Sequence, residues 1–152
     1  MIGDEWLRSN KRGPCLTPES FEPRIIAFLC TWCSYRAADE VGKARQPYPA
    51  AIKIVRVPCS GRVDPQWVLA ALERGADGVI IVGCPKGNCH YKSGNLQALK
   101  RFALLRRLLQ EMGIDTTRVR QDWGGAGDGE KLLSLFCGMV EDVRAKGPLA
   151  AL

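Results

Sequence analysis

Two rhythms alternate along this chain. Short continuous apolar runs, bounded by glycine, proline or polar turns, give way to longer stretches in which apolar residues recur every three or four positions. Ile25-Ile26-Ala27-Phe28-Leu29, inside Arg24 to Cys30, reads as a strand covered on both faces. Ala51 to Val57, closed by Pro58, reads as a second strand. Val79-Ile80-Ile81-Val82 between Gly78 and Gly83 reads as a third, and Thr117 to Trp123 as a fourth. Helix patterns lie between and after them. Ala37, Ala38, Val41 and Ala44 share one side of a weak helix that ends before Pro47 and Pro49. Asp64-Pro65 opens the next helix, because the carboxylate caps and proline suits the first helical position; Val68, Leu69 and Leu72 face inward and Gly75 stops it. From about Asn95 to Met112 a long helix is expected to bury Leu96, Leu99, Phe102, Leu105, Leu109 and Met112, with Gly113 just past its end. A last helix carries Leu132, Leu135, Phe136, Met139, Val140 and Val143 at helical spacing.

Strand–helix alternation with buried strands implies an α/β fold: a Rossmann- or flavodoxin-like parallel sheet of about four strands with helices on both faces. The order of the strands is not legible, and there is no internal repeat. Residues 1 to 22 lack periodicity and contain Pro14 and Pro18, so they read as a flexible N-terminal arm that orders on a partner. Residues 23 to 147 then form a single domain, and 148 to 152 a short C-terminal tail. No apolar run approaches the ~20 residues of a membrane span, and Met1 to Trp6 lack the basic-then-apolar pattern of a signal peptide.

The formal charge of +6 raises nucleic acid as a partner, but the bases are scattered and the pair Arg106-Arg107 falls within a helix pattern. A solvated helix face is the better reading, and the net charge favours an acidic partner surface or an anionic cofactor. Seven cysteines change the picture more. An odd number, with no signal peptide, points to a reducing compartment, the cytoplasm, and to metal or redox chemistry rather than disulfide scaffolding.

Placed on the expected elements, Cys30 closes the first strand and Cys33 begins the following helix. Cys59 lies just past the second strand, Cys84 follows the third, and Cys89 lies in the loop after it. The carboxyl ends of parallel strands all point one way, toward the crevice where such sheets bind ligands, so these five thiols converge. Cys30-Thr31-Trp32-Cys33 is a CxxC and Cys84 to Cys89 a Cx4C, spacings that occur in iron–sulfur ligation. Gly61 and Gly87 allow close backbone approach. Arg56, Arg62, Lys86 and Lys92 offset thiolate charge, and Trp32 and Tyr35 exclude water. The same thiols also suit structural zinc or a dithiol couple at Cys30 and Cys33. Cys137 flanks the apolar face of the last helix and reads as a core residue, Cys15 stands alone, and His90 reads as a hydrogen-bonding loop residue. Gly124 to Lys131 is not a phosphate loop, because Lys131 is one residue late and Leu132 replaces the hydroxyl that would bind Mg²⁺.

Three motifs together, Cys30-Thr31-Trp32-Cys33-Ser34-Tyr35, Arg56-Val57-Pro58-Cys59-Ser60-Gly61-Arg62-Val63 and Gly83-Cys84-Pro85-Lys86-Gly87-Asn88-Cys89-His90-Tyr91 with Gly94-Asn95, resemble the MvhD family. This is the delta, iron–sulfur subunit of methyl-viologen-reducing (F420-non-reducing) hydrogenase, also found with heterodisulfide-reductase-like complexes. The resemblance runs from about residue 24 to residue 147. It implies one [2Fe–2S] cluster that relays electrons between a hydrogenase, or another donor, and an HdrA-like flavin- and iron–sulfur-containing subunit. The chain would then be a non-catalytic redox subunit. Its cofactor-binding residues carry over as Cys30, Cys33, Cys59, Cys84 and Cys89. Four ligands suffice for the cluster, and the expected division gives Cys30/Cys33 one iron and Cys84/Cys89 the other, with Cys59 as a possible fifth.

Overall fold

The computed structural model describes residues 21–150. Cys15, most of the arm expected over residues 1 to 22 and the end of the tail lie outside the described residues. The strands are β1 (Ile25–Cys30), β2 (Ile52–Val57), β3 (Gly78–Gly83) and β4 (Val119–Trp123). The helices are α1 (Ser34–Lys43), α2 (Pro65–Glu73), α3 (Gly94–Glu111) and α4 (Gly129–Lys146). Each strand is followed by a helix, and every strand pair is parallel, as the alternation requires.

The strand order is β2–β1–β3–β4. From β1 the chain winds outward to β2, then crosses back over β1 to reach β3. The switch point therefore lies between β1 and β3, where sheets of this type open a crevice at their carboxyl ends. All six residues of β3 are buried, while the edge strand β2 exposes Lys53, Val55 and Arg56.

Side chains alternate along each strand and divide the core in two. Ile25, Ala27 and Leu29 of β1, with Ile80 and Val82 of β3, pack under α1 and α4 through Ala37, Leu132, Phe136, Met139, Val140 and Val143. Phe28, Val79 and Ile81 face the opposite way, toward Val68 and Leu72 of α2 and Leu105 and Leu109 of α3. Asp64 caps α2 by accepting from the Gln66 N–H at 2.8 Å, with Pro65 at the first helical position. At the amino end of the sheet, buried Asp77 accepts from the backbone N–H groups of Arg24 at 2.9 Å and Leu149 at 3.0 Å. Packing thus reaches Leu149 on one side and, through Phe21 and the Arg144–Glu22 ion pair, the start of the described chain on the other.

One expected face is corrected. Leu96, Leu99 and Met112 are exposed, and α3 instead turns Asn95, Ala98, Leu105 and Leu109 inward, with Phe102 partly buried. These positions step by three and four residues and form one narrow stripe. Leu96 and Leu99 each sit one residue, a turn of ~100°, past a member of it. Met112 follows the last helical residue.

Adjacent residues of α3 provide a direct check. Leu105 is 2% exposed and Leu104 is 68% exposed. Leu105→Ala is expected to lower the unfolding free energy by about 2–5 kcal/mol in denaturant titration, whereas Leu104→Ala stays within about 0.5 kcal/mol. Equal losses would place both side chains in the core and contradict this packing.

Candidate metal centre

The five cysteines expected to converge do so at the carboxyl end of the sheet. Cys30 is the last residue of β1, and Cys84 directly follows β3, the two strands that flank the switch point. Their sulfurs are 3.8 Å apart. Cys33, at the start of α1, joins them, so that the three Sγ atoms lie within 4.8 Å of one another. Cys59, after β2, stands 4.0 Å from Cys89. Four of the five are buried and Cys89 is half-buried.

The expected Cys30/Cys33 pair is close, but the sulfurs group as three and two rather than as two local pairs. Cys84 has Cys30 and Cys33 beside it, and Cys89 has Cys59. Sequence spacing suggested the local chelates, but the chain between Cys84 and Cys89 bends through Gly87, whose φ of 82° is open to glycine, and carries Cys89 to the loop after β2.

Backbone and side-chain bonds hold this arrangement. Ser34 accepts from the Cys30 N–H at 2.8 Å and donates to the Val82 carbonyl at 2.7 Å, tying the end of β1 to β3. The Asn95 amide donates to the carbonyls of Cys84 and Pro85, each at 2.9 Å, which anchors the loop after β3 to the first turn of α3. The Gly61 N–H points at the Cys59 sulfur at 3.4 Å. A Cβ on Gly94 would overlap that same sulfur, and one on Gly61 would come within 2.6 Å of the Gly94 carbonyl oxygen. The close approach at Gly61 was expected; Ser34, Gly94 and Asn95 stood in the same motifs, but nothing in their spacing announced their contacts.

Aromatic rings contact one another beside the cysteines. The rings of Trp32 and His90 stack with centroids 3.7 Å apart, and Tyr91 meets His90 edge-on. Arg56 lies over the Tyr35 ring and Lys86 over that of Trp123. Cys137, expected as a core residue, is instead half-buried and disulfide-bonded.

Crowding sets the protonation of the thiols. Cys30 is held down to about 5, first because the Cys33 thiol donates to it, with backbone N–H groups and Cys84 adding to the effect against opposing burial. Cys33 is pushed up by that same donation and by burial. Burial, first among several causes, raises Cys59 and Cys84. Without metal, the site therefore stores one thiolate at Cys30 and keeps protons on Cys33, Cys59 and Cys84 at neutral pH.

The donor set fits a metal group. Two thiolates on one tetrahedral metal, with bonds of ~2.3 Å, stand about 3.8 Å apart. Cys30/Cys84 and Cys59/Cys89 both have nearly this separation. Because metal must displace protons from the raised thiols, Co²⁺ titration of the metal-free protein in weak buffer is expected to release protons, with apparent affinity rising with pH through the neutral range. Affinity independent of pH would mean that these thiols are already ionised. Gly94→Ala is expected to weaken Co²⁺ binding about tenfold or more by displacing Cys59, and unchanged binding would mean that α3 does not press on that sulfur.

The chain matches the family model described as methyl-viologen-reducing hydrogenase, delta subunit, over residues 25–147. It is 48% identical over 130 residues, covering 86% of this chain and 95% of the relative, to the iron-sulfur subunit of the F420-non-reducing hydrogenase of Archaeoglobus profundus. It is 43% identical, covering 86% and 90%, to the iron-sulfur subunit of the vhc F420-non-reducing hydrogenase of Methanococcus voltae. A third relative differs in length: 129 residues, 85% of this chain, are 41% identical to a segment making up 16% of a ferredoxin:CoB-CoM heterodisulfide reductase subunit of Methanosarcina mazei. From the family match across the whole sheet and the identity to full-length relatives, the chain belongs to the methyl-viologen-reducing hydrogenase delta-subunit family.

Proposed function

We propose that this chain is an electron-transfer subunit holding one [2Fe–2S] cluster at the carboxyl end of its sheet. The observation that carries the reading is the pair of sulfur–sulfur spacings, 3.8 Å for Cys30/Cys84 and 4.0 Å for Cys59/Cys89, each suited to one iron. On this division Cys33 is the fifth thiol, in place of Cys59. Bound there, a cluster would supply one-electron oxidation and reduction without proton transfer or substrate binding.

The protein's own part is to position, insulate and tune. Ser34 and Asn95 fix the two strand ends, the Gly61 N–H donates toward the Cys59 sulfur, and Trp32 stacks on His90 in the loop that carries Cys89. The relatives named for hydrogenase support a hydrogenase, or another donor, on one side of the relay. The Methanosarcina relative supports the acceptor. There a segment like this chain is covalently part of a protein named for heterodisulfide reductase, so a separate chain of this type would dock on an HdrA-like flavin and iron–sulfur subunit. The cytoplasm is the site of action on this reading, because an iron–sulfur centre needs its five cysteines reduced. A dithiol oxidoreductase built on Cys30 and Cys33 is disfavoured by access: Cys30, the thiol with the lowered pKa, is 1% exposed.

Anaerobic purification with iron and acid-labile sulfide assays, and EPR before and after dithionite, tests the reading. About two iron and two sulfide per chain, with a spin-half signal on reduction, are expected. Cys59→Ser and Cys84→Ser are expected to lose or strongly shift that signal, while Cys33→Ser keeps it. Zinc without sulfide would overturn the cluster, and a cluster that survives Cys59→Ser but not Cys33→Ser would restore the local-chelate division.

A further inference from the structure

We infer that the cleft beside Cys59 and Cys89 is the electron port of this protein and that it docks an acidic face of another redox protein. This rests on the cluster reading above. The cleft has a volume of about 380 Å³ and is lined by Pro58, Cys59, Gly61, Arg62, Tyr91 and Arg101, among others. It touches the centre at Cys59, whose buried sulfur stands 4.0 Å from that of half-buried Cys89, the most exposed of the five. A docked surface there would come closest to the cysteines with the least protein between.

Charge says what that surface is. From Gly78 to Gln110 the sequence contains six lysines and arginines and no Asp or Glu. The five ion pairs among the described residues all lie elsewhere, on α1, β4 and α4 and the segments before β1 and β4. Arg62, Lys92 and Arg101 are exposed and have no carboxylate partner among the described residues. Arg101 donates to the Gly61 carbonyl, which positions it at the cleft. The acid nearest in sequence, Asp64, is engaged in capping α2.

Internal compensation of the thiolates does not account for these cations. Arg56 and Lys86, which do fold back onto the protein, rest on the rings of Tyr35 and Trp123. Exposed cations in water interact weakly with a buried charge. They act instead on an approaching surface, steering carboxylates to the cleft mouth. The transfer itself balances simply: one electron leaves the reduced cluster and reduces the oxidised centre of the docked protein, with no bond made or broken.

The test uses anaerobically prepared, cluster-containing full-length protein and, as the probe, a small acidic ferredoxin. Arg62→Glu/Lys92→Glu reverses one charge that lines the cleft and one on the exposed residue next to Tyr91, which also lines it. Lys53→Glu/Arg74→Glu reverses two exposed charges at the amino end of the sheet. Both variants should keep wild-type iron, sulfide and EPR signal, which separates this test from the cluster reading. At low ionic strength the first variant is expected to weaken binding of the oxidised ferredoxin, and to slow electron exchange, about tenfold or more; the second leaves both within about twofold. The difference should vanish near ~1 M salt. Equal effects in the two variants, or no binding of the ferredoxin by the wild type at low salt, would overturn the proposal.

Discussion

How closely α3 can approach the loop after β2 is decided at one contact, the backbone of Gly94 against the sulfur of Cys59. No side chain fits there, and the neighbouring Gly61 leaves no room for one either. With α3 seated this close, Asn95 in its first turn reaches the carbonyls of Cys84 and Pro85 and holds the loop after β3. That loop in turn delivers Cys89 to Cys59. Three segments far apart in sequence are thus locked by steric fit and a few directed bonds, and the position of the five sulfurs follows from them.

Crowding sulfurs in a buried pocket has an electrostatic cost that the protein meets by sharing protons. Each burial raises a thiol, and each thiolate raises its neighbours further. The outcome is uneven: Cys30 is lowered chiefly because Cys33 donates to it, Cys33 is raised by that same donation, and Cys84 is raised first by burial. Such a pocket is poised for a cation. It presents one thiolate at once, and further ligands become available as a metal displaces their protons.

Much of the fold was legible because the signals were redundant. β3 is an unbroken apolar run between two glycines, and α2 has both a capping carboxylate and a proline at its start, so pattern and local chemistry agree. The face of α3 was misread because leucines occupy more than half of its circumference, and hydrophobicity alone cannot say which of them meet the sheet. Asn95 does so instead, a polar residue whose reason is two carbonyls rather than burial. Strand order was beyond reach, since a crossover can return on either side of its starting strand. The convergence of the cysteines was legible from the parallel sheet alone. Which sulfur neighbours which was not, because it depends on a bend at Gly87 and on how near α3 comes.

The two ends of the sheet are built for different work. The amino end is closed by directed bonds: Asp77 gathers the N–H groups of Arg24 and Leu149, and buried Arg118 donates to the carbonyls of Asp77 and Gly147. The buried charges of Asp77 and Arg118 are met there by hydrogen bonds to the backbone. At the carboxyl end the buried sulfurs are ordered just as firmly, yet the cations around them are left facing outward. The thiols of Cys30, Cys33 and Cys84 are buried, and the open cleft meets the centre at its edge, at Cys59.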